Sequence, residues 1–371
     1  MDHDNAVFER LQTVLPVIEL IRKTFQCSSV SLRVLHQVRT PLVKGFVHAN
    51  QGALRAPDGN TIYCFGSCTK ALTAVALGLL VESGHVDWDT RVIEYLPEFT
   101  ATHSPEAGEN AALRTLLSHS TGFAPLLFAM ISKNGAIVPR REDVVHLCSK
   151  VPFSARLRSG WKYNNWLYAL AARSIEIRSA DLWQSQIHQI LEALGMSRSF
   201  TTSSDDENIA HGYKVFNDGR MSEDGLPLLE GGDAIDGSAL LDPASPWMKD
   251  DFETVRSPSV ASVETESSQG LTTDAFLKAL QTATQPQFPL AKDPRQPYGL
   301  GLFSFNLPTC EIITITNAHA PGIMNSYTIG ADSSSMLAVG HTGDLGSFTN
   351  AYWTFPETES AIIVMTNASS T

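Results

Sequence analysis

Residues 62–82 read Ile62-Tyr63-Cys64-Phe65-Gly66-Ser67-Cys68-Thr69-Lys70-Ala71-Leu72-Thr73-Ala74-Val75-Ala76-Leu77-Gly78-Leu79-Leu80-Val81-Glu82. A short apolar run ends at Gly66, and the spacing predicts a helix from Ser67 to Ser83. That helix is apolar almost all round, which places it in the middle of a domain. Ser67 and Lys70 lie three apart, one above the other on such a helix. A lysine there can hold or take the serine's proton once burial or neighbouring groups lower its own pKa. The serine hydroxyl would also sit at the positive end of the helix dipole. The same spacing recurs at Ser159 and Lys162, beside Gly160 in what reads as a loop. Serine is also a favoured N-cap, and on spacing alone the cap is the reading to prefer.

Outward from this helix, residues 7–25 have apolar positions at helical spacing, with Pro16 inside as a possible kink point. Residues 29–37 and 42–48 read as strands. Residues 85–215 read as mostly helical, with loops at 101–112 and 132–140. Residues 216–297 are rich in Ser, Pro, Asp and Gly, and 222–270 reads as a long irregular excursion of the kind that covers a site or is disordered. From Tyr298 the period shifts toward two, giving strands at 299–305, 311–317, 336–341, 348–355 and 361–366. Strands at both ends with helices between predict one sheet built from both ends of the chain, and an inserted helical domain. Residues 1–66 and 298–371 form the expected sheet domain, with helix 67–83 at the interface. Residues 84–297 form the expected helical domain, including the excursion at about 216–297.

Composition excludes several functions. The chain of 371 residues carries a net charge of −12, with 43% hydrophobic and 18% charged residues. A phosphate backbone or an anionic membrane surface would be repelled. No basic n-region precedes an apolar core near Met1, and no apolar run reaches the roughly 18 residues of a membrane helix. Five scattered cysteines without a CxxC point to neither a zinc cage nor a disulfide framework, and a cytosolic, reduced protein is expected. The sequon at Asn367 is expected to be a chance match.

Two further constellations could carry chemistry. Arg158-Ser-Gly-Trp-Lys-Tyr-Asn-Asn-Trp166 contains Tyr163 and Asn165, two apart before a helix. A tyrosine beside a cationic lysine can act as a base, and an asparagine amide can donate to a substrate carbonyl. The same residues also suit a plain helix-start turn. Gly340-His341-Thr342-Gly343-Asp344-Leu345-Gly346 follows a strand and reads as a glycine-flanked turn, where backbone N–H groups can approach a ligand.

Taken in order, Ser-x-x-Lys, Tyr-x-Asn and His-Thr-Gly resemble the three signature elements of the serine β-lactamase and penicillin-binding-protein superfamily. The chain looks most like the class C β-lactamase branch, which includes esterases, D-aminopeptidases and transesterases. The stretches Phe65–Ala74, Leu79–Glu98, Leu113–Phe123, Leu194–Arg198 and Tyr298–Gly301 are similar to family segments as well. The wording around Trp161 and Asn164 resembles fungal members, some of which are acyltransferases or hydrolases of secondary metabolism.

The resemblance implies an α/β fold in the broad sense, an antiparallel sheet flanked by helices plus a helical domain. It implies acyl transfer through a Ser67 acyl-enzyme on an ester or thioester, with Lys70 and Tyr163 sharing the base and acid roles. Asn165 would orient the substrate. The oxyanion would sit between the N–H of Ser67 and that of Asp344, just past His341 and Gly343. No metal or cofactor is implied. The expected partner is a small-molecule acyl substrate, including a carrier-bound thioester, with water or another molecule as acceptor. A β-lactamase or D-Ala peptidase and a non-catalytic binding relative remain alternatives.

Three features depart from the family pattern. His341 stands where relatives usually carry lysine, whose charge faces a substrate carboxylate. The glycine-rich segment expected before the returning sheet is not recognisable in 216–297. The sequence stops just after a strand where relatives add a helix, so residues 1–25 cover the sheet, a partner does, or the sequence is truncated.

Overall fold

Two stretches from opposite ends of the chain pair residue for residue. Strand β1 (Ser29–His36) runs antiparallel to the strand at Ser360–Thr366, from Val30 opposite Thr366 to His36 opposite Ser360. The computed structural model describes residues 3–37, 39–48, 55–126, 141–201, 206–216, 218, 220–223, 240–241, 272–290, 293–309, 328–345 and 347–370.

Around β1, the sheet has eight strands. They are β2 (Arg39–Val47), β3 (Phe288–Leu290), β4 (Asp293–Tyr298), β5 (Phe303–Leu307), β6 (Met336–Leu345), β7 (Phe348–Phe355) and β8 (Ser360–Thr366) with β1. Their order is β2-β1-β8-β7-β6-β5-β4-β3, antiparallel throughout. The sheet is therefore mixed from both ends of the chain. The returning half begins at Phe288 rather than at Tyr298. The expected strand at 299–305 begins only at Phe303, because residues 299–302 form a tight turn. There Gly299 N–H donates to the Leu302 carbonyl, and Gly301 has φ +79°. The expected strand 311–317 lies outside the described residues.

Helix α1 (His3–Thr24) runs unbroken through Pro16. Its Leu11, Leu15 and Ile18 pack on Leu32, Val34, Leu42 and Val364 of β1, β2 and β8. Positions 11, 15 and 18 share one helical face, so this helix covers part of the sheet's apolar side.

Helix α2 (Lys70–Glu82) is the central element, with ten of its residues buried. It is surrounded by α4 (Asn165–Ser179), α5 (Trp183–Ala193) and α6 (Thr273–Thr284), while α3 (Leu113–Leu117) packs on α4. Helix α6 falls inside the segment read as irregular. Thr272 caps it by accepting from the Ala275 N–H, and Phe276, Ala279 and Ala283 face inward. A Cβ at Gly78 would lie 2.5 Å from the Ala279 Cβ, which explains the glycine in the middle of α2: it lets α6 approach. Each fully buried Leu or Val here contributes about 1.5–3 kcal/mol through removal from water.

Asn367 is fully buried. Its side chain accepts from the Ser29 N–H at 2.7 Å and donates to the His211 carbonyl at 2.8 Å. The sequon asparagine thus ties the end of β8 to β1. Among the described residues no helix is long and apolar enough to cross a membrane.

Candidate active site

Ser67 sits in a single 3₁₀ turn, Gly66–Thr69, that runs directly into α2. Gly66 has φ +58°, a conformation that costs glycine nothing. The serine does not cap the helix: Phe65 and Thr69 hold the two cap positions, neither with a side-chain cap bond. The reading of Ser67 as an ordinary N-cap therefore fails.

The turn is clamped to the sheet. A Cβ at Gly343 would lie 2.1 Å from the Phe65 carbonyl oxygen, so only glycine lets β6 run this close. Cys68 Sγ donates to the His341 carbonyl at 3.6 Å, and Asn350 Nδ2 donates to the Cys64 carbonyl at 2.6 Å. The Phe65 ring stacks on Tyr352 with centroids 5.7 Å apart. These contacts bring residues 343–344 alongside Ser67.

Lys70 is fully buried, and its Nζ donates to Ser67 Oγ at 3.1 Å. The ammonium also lies over two aromatic rings, 5.0 Å from the Tyr163 centroid and 5.1 Å from that of Tyr168. Cation–π attraction of this kind is worth about 2 kcal/mol when the cation is desolvated. Burial pushes the Tyr163 phenol well above its usual range, opposed in part by the neighbouring Ser67 hydroxyl. Its hydroxyl faces Ser67 without a hydrogen bond of good geometry. Asn164, not Asn165, caps α4, accepting from the Trp166 N–H at 2.9 Å. That leaves the Asn165 Oδ1 buried and without a partner among the described residues.

The segment around His341 corrects one expectation. Residues 340–345 are not a turn: β6 continues to Leu345 and pairs with β7 throughout, from His341 opposite Tyr352 to Leu345 opposite Phe348. The imidazole is fully buried. Its Nε2 accepts from the Tyr298 hydroxyl at 3.1 Å, and its Nδ1 donates to the Thr342 carbonyl. Burial first, then the charge of Lys70, pull its pKa down to about 3. Gly343 is buried and Asp344 lies exposed near the end of β6.

The second Ser-x-x-Lys is not assembled. Ser159 is exposed and its hydroxyl donates to the Arg156 carbonyl at 2.7 Å. Reading by motif missed an aromatic cage made of His119, Trp161, Tyr168, Tyr298 and Phe303. The His119 ring lies 4.4 Å from Tyr163 and 5.0 Å from Tyr298. A histidine just past a short helix, in a Ser-His-Ser-Thr-Gly run, was the available signal. Histidine is enriched among residues with positive φ, and His119 has φ +56°.

Two neutral buried histidines make an acid-sensitive fold. His119 is held well below its usual range by burial and then by Lys70. Below about pH 6.5 the unfolded chain binds protons at both positions while the folded one does not, so stability falls with pH. For His341 the loss continues down to about pH 3. At pH 5 His341 costs about 2 kcal/mol relative to pH 8, and His119 acts in the same direction. We expect the drop in Tm between pH 8 and pH 5 to be smaller in His341→Asn than in the parent. Equal drops would contradict it.

The family model "Beta-lactamase" matches residues 17–371. The chain belongs to this β-lactamase family. Among curated relatives of this serine hydrolase family, it is 28% identical over 200 residues to an unguisins hydrolase of Aspergillus violaceofuscus, covering 52% of this chain and 35% of that one. It is 26% identical over 161 residues to penicillin-binding protein 4 of Amycolatopsis lactamdurans, covering 43% and 41%. The chain thus spans well under half the length of either. A solved octameric penicillin-binding protein homologue from Pyrococcus abyssi superposes with a TM-score of 0.74 at 21% identity, covering 97% of this chain and 74% of that one. A class C β-lactamase from Rhodobacter sphaeroides gives 0.69 at 15%, covering 94% and 92%. These two show that the β-lactamase family member has the β-lactamase/transpeptidase fold. Among the described residues no group of three or more His, Cys, Asp or Glu could hold a metal ion.

Proposed function

We propose that this protein is a serine hydrolase or acyltransferase that forms an acyl-enzyme on Ser67 from an ester or thioester. The observation that carries this reading is the Lys70 ammonium, buried and 3.1 Å from Ser67 Oγ. Ser67 Oγ attacks the substrate carbonyl carbon. For this step the Lys70–Tyr163 pair must hold one proton fewer, as a neutral Lys70 amine or a Tyr163 phenolate; it then takes the Ser67 proton and returns it to the departing alcohol or thiol as that bond breaks. The N–H groups of Ser67 and Asp344 receive the oxyanion, and Asn165 orients the substrate. In the second half, water or another acceptor attacks the acyl-enzyme, and its proton returns through the pair to Ser67. Matches to Aspergillus hydrolases support a role in fungal secondary metabolism. A cytosolic setting with a small or carrier-bound acyl substrate belongs to the same reading.

Neutral His341 supports substrates without a carboxylate beside the reacting carbonyl. A charge-assisted hydrogen bond is worth roughly 1.5–3 kcal/mol against about 1 for a neutral one. The difference of about 1–2 kcal/mol is roughly 5- to 30-fold in binding an anion. The test is kcat/KM for a short-chain p-nitrophenyl ester and for nitrocefin, on one preparation at pH 6 and pH 8. We expect the ester to win at both values. Because His341 stays neutral at pH 6, acidification should not rescue nitrocefin. Nitrocefin turnover above that of the ester at pH 8 would favour a β-lactamase instead.

A further inference from the structure

Tyr163 is fixed in space by a residue outside the three motifs. The Lys162 N–H donates to the His119 carbonyl at 2.8 Å. On the other side of the tyrosine, the Asn164 N–H donates to His119 Nδ1 at 3.1 Å. The N–H groups of both residues flanking Tyr163 therefore end on one residue. The His119 ring also lies against the phenol, centroids 4.4 Å apart and tilted by 43°. We propose that His119 is the positioning residue for Tyr163, holding its hydroxyl at Ser67 and Lys70. The inference rests on the reading of Tyr163 as a proton carrier.

The clasp needs this side chain in this form. Nδ1 can accept from Asn164 only in the neutral tautomer with the proton on Nε2. That Nε2 is buried with no hydrogen-bond partner among the described residues. An unmet buried donor costs about 1–3 kcal/mol, which a side chain present for packing alone would avoid. His119 is itself anchored: Arg158 N–H donates to the next carbonyl, that of Ser120, at 2.7 Å. Tyr168 OH donates to the Leu117 carbonyl at 2.7 Å. The segment 117–120 is therefore tied to the chain on both sides of Tyr163.

The experiment uses the full chain and a fluorophosphonate, which forms an Oγ–P bond at serine with loss of fluoride. Labelling is followed by intact mass to separate kinact from KI, at a temperature where each variant is folded by circular dichroism. We expect His119→Leu to lower kinact about 10- to 100-fold, as small misplacements of a reacting group do, with KI within about twofold. His119→Asn should recover most of the rate, since its Oδ1 can take the place of Nδ1 and asparagine tolerates positive φ. In a Tyr163→Phe background, His119→Leu should add nothing further. If His119→Leu does not fold, His119→Gln takes its place, because its amide reaches toward Nε2 rather than Nδ1. A parent-like rate in His119→Leu, an Asn variant no better than Leu, or a full further loss on top of Tyr163→Phe would each overturn the proposal. Parent-like labelling of Tyr163→Phe would instead remove the proton-carrier reading, and the positioning role with it.

Discussion

Ser67→Ala is expected to abolish both fluorophosphonate labelling and turnover, while Ser159→Ala keeps both. Loss of the nucleophile in serine hydrolases lowers kcat on the order of 10⁶-fold. The two serines share the same spacing to a lysine, so spacing cannot be the cause of the difference. What separates them is assembly. Ser67 accepts from a buried ammonium at 3.1 Å, in a turn clamped against β6. Ser159 is exposed and donates to a backbone carbonyl in its own loop. A single adduct that maps to Ser67 is the expected mass result. An unlabelled but folded parent would favour a binding relative that has kept the cleft. An inactive, folded Ser159→Ala protein would mean the nucleophile is misassigned.

Lys70→Ala and Tyr163→Phe are each expected to lower kcat about 10²- to 10⁴-fold, the range of positioned acid–base catalysis. The losses should not multiply in the double variant, because in the proposed mechanism the two groups share one proton. Lys70→Arg should fail with them. Guanidinium does not give up its proton near neutral pH, and it is larger than the ammonium held between the Tyr163 and Tyr168 rings. Multiplicative losses by single-turnover kinetics would mean that the two groups act independently.

The sheet and central helix were legible in the sequence because both are decided by strong apolar patterns. Residues 29–36 and 360–366 are dense in Val, Ile and Leu, and α2 is apolar on every side. Strands β3 and β4 were not legible, since Pro289 and Pro297 interrupt them and proline marks an edge or a non-strand. Strand β3 is the sheet edge, where a missing N–H does no harm, and β4, one place in, meets β5 at Tyr298 opposite Phe303, just past Pro297. Helix α6 has a clear inward face at Phe276, Ala279 and Ala283, but it is enclosed by a segment rich in turn formers. The glycines at 340, 343 and 346 suggested a turn. At Gly340 and Gly343 they instead admit neighbouring backbone, the carbonyls of Tyr352 and Phe65. Close approach across a sheet leaves no periodic trace, and neither does a cage of rings drawn from positions as distant as His119, Trp161 and Tyr298.

The clamp between the Ser67 turn and β6 also bears on the order of events in folding. Gly343 meets Phe65, and Asn350 meets Cys64, only after most of the chain has been placed. Closing loops of that length is slow compared with forming local helices. Helical circular dichroism should therefore recover before the serine becomes reactive when the denatured protein is diluted into buffer. A pulse of phosphonate probe would count only chains that have finished folding. Labelling that recovers in step with the helical signal would show that the turn is built locally and early.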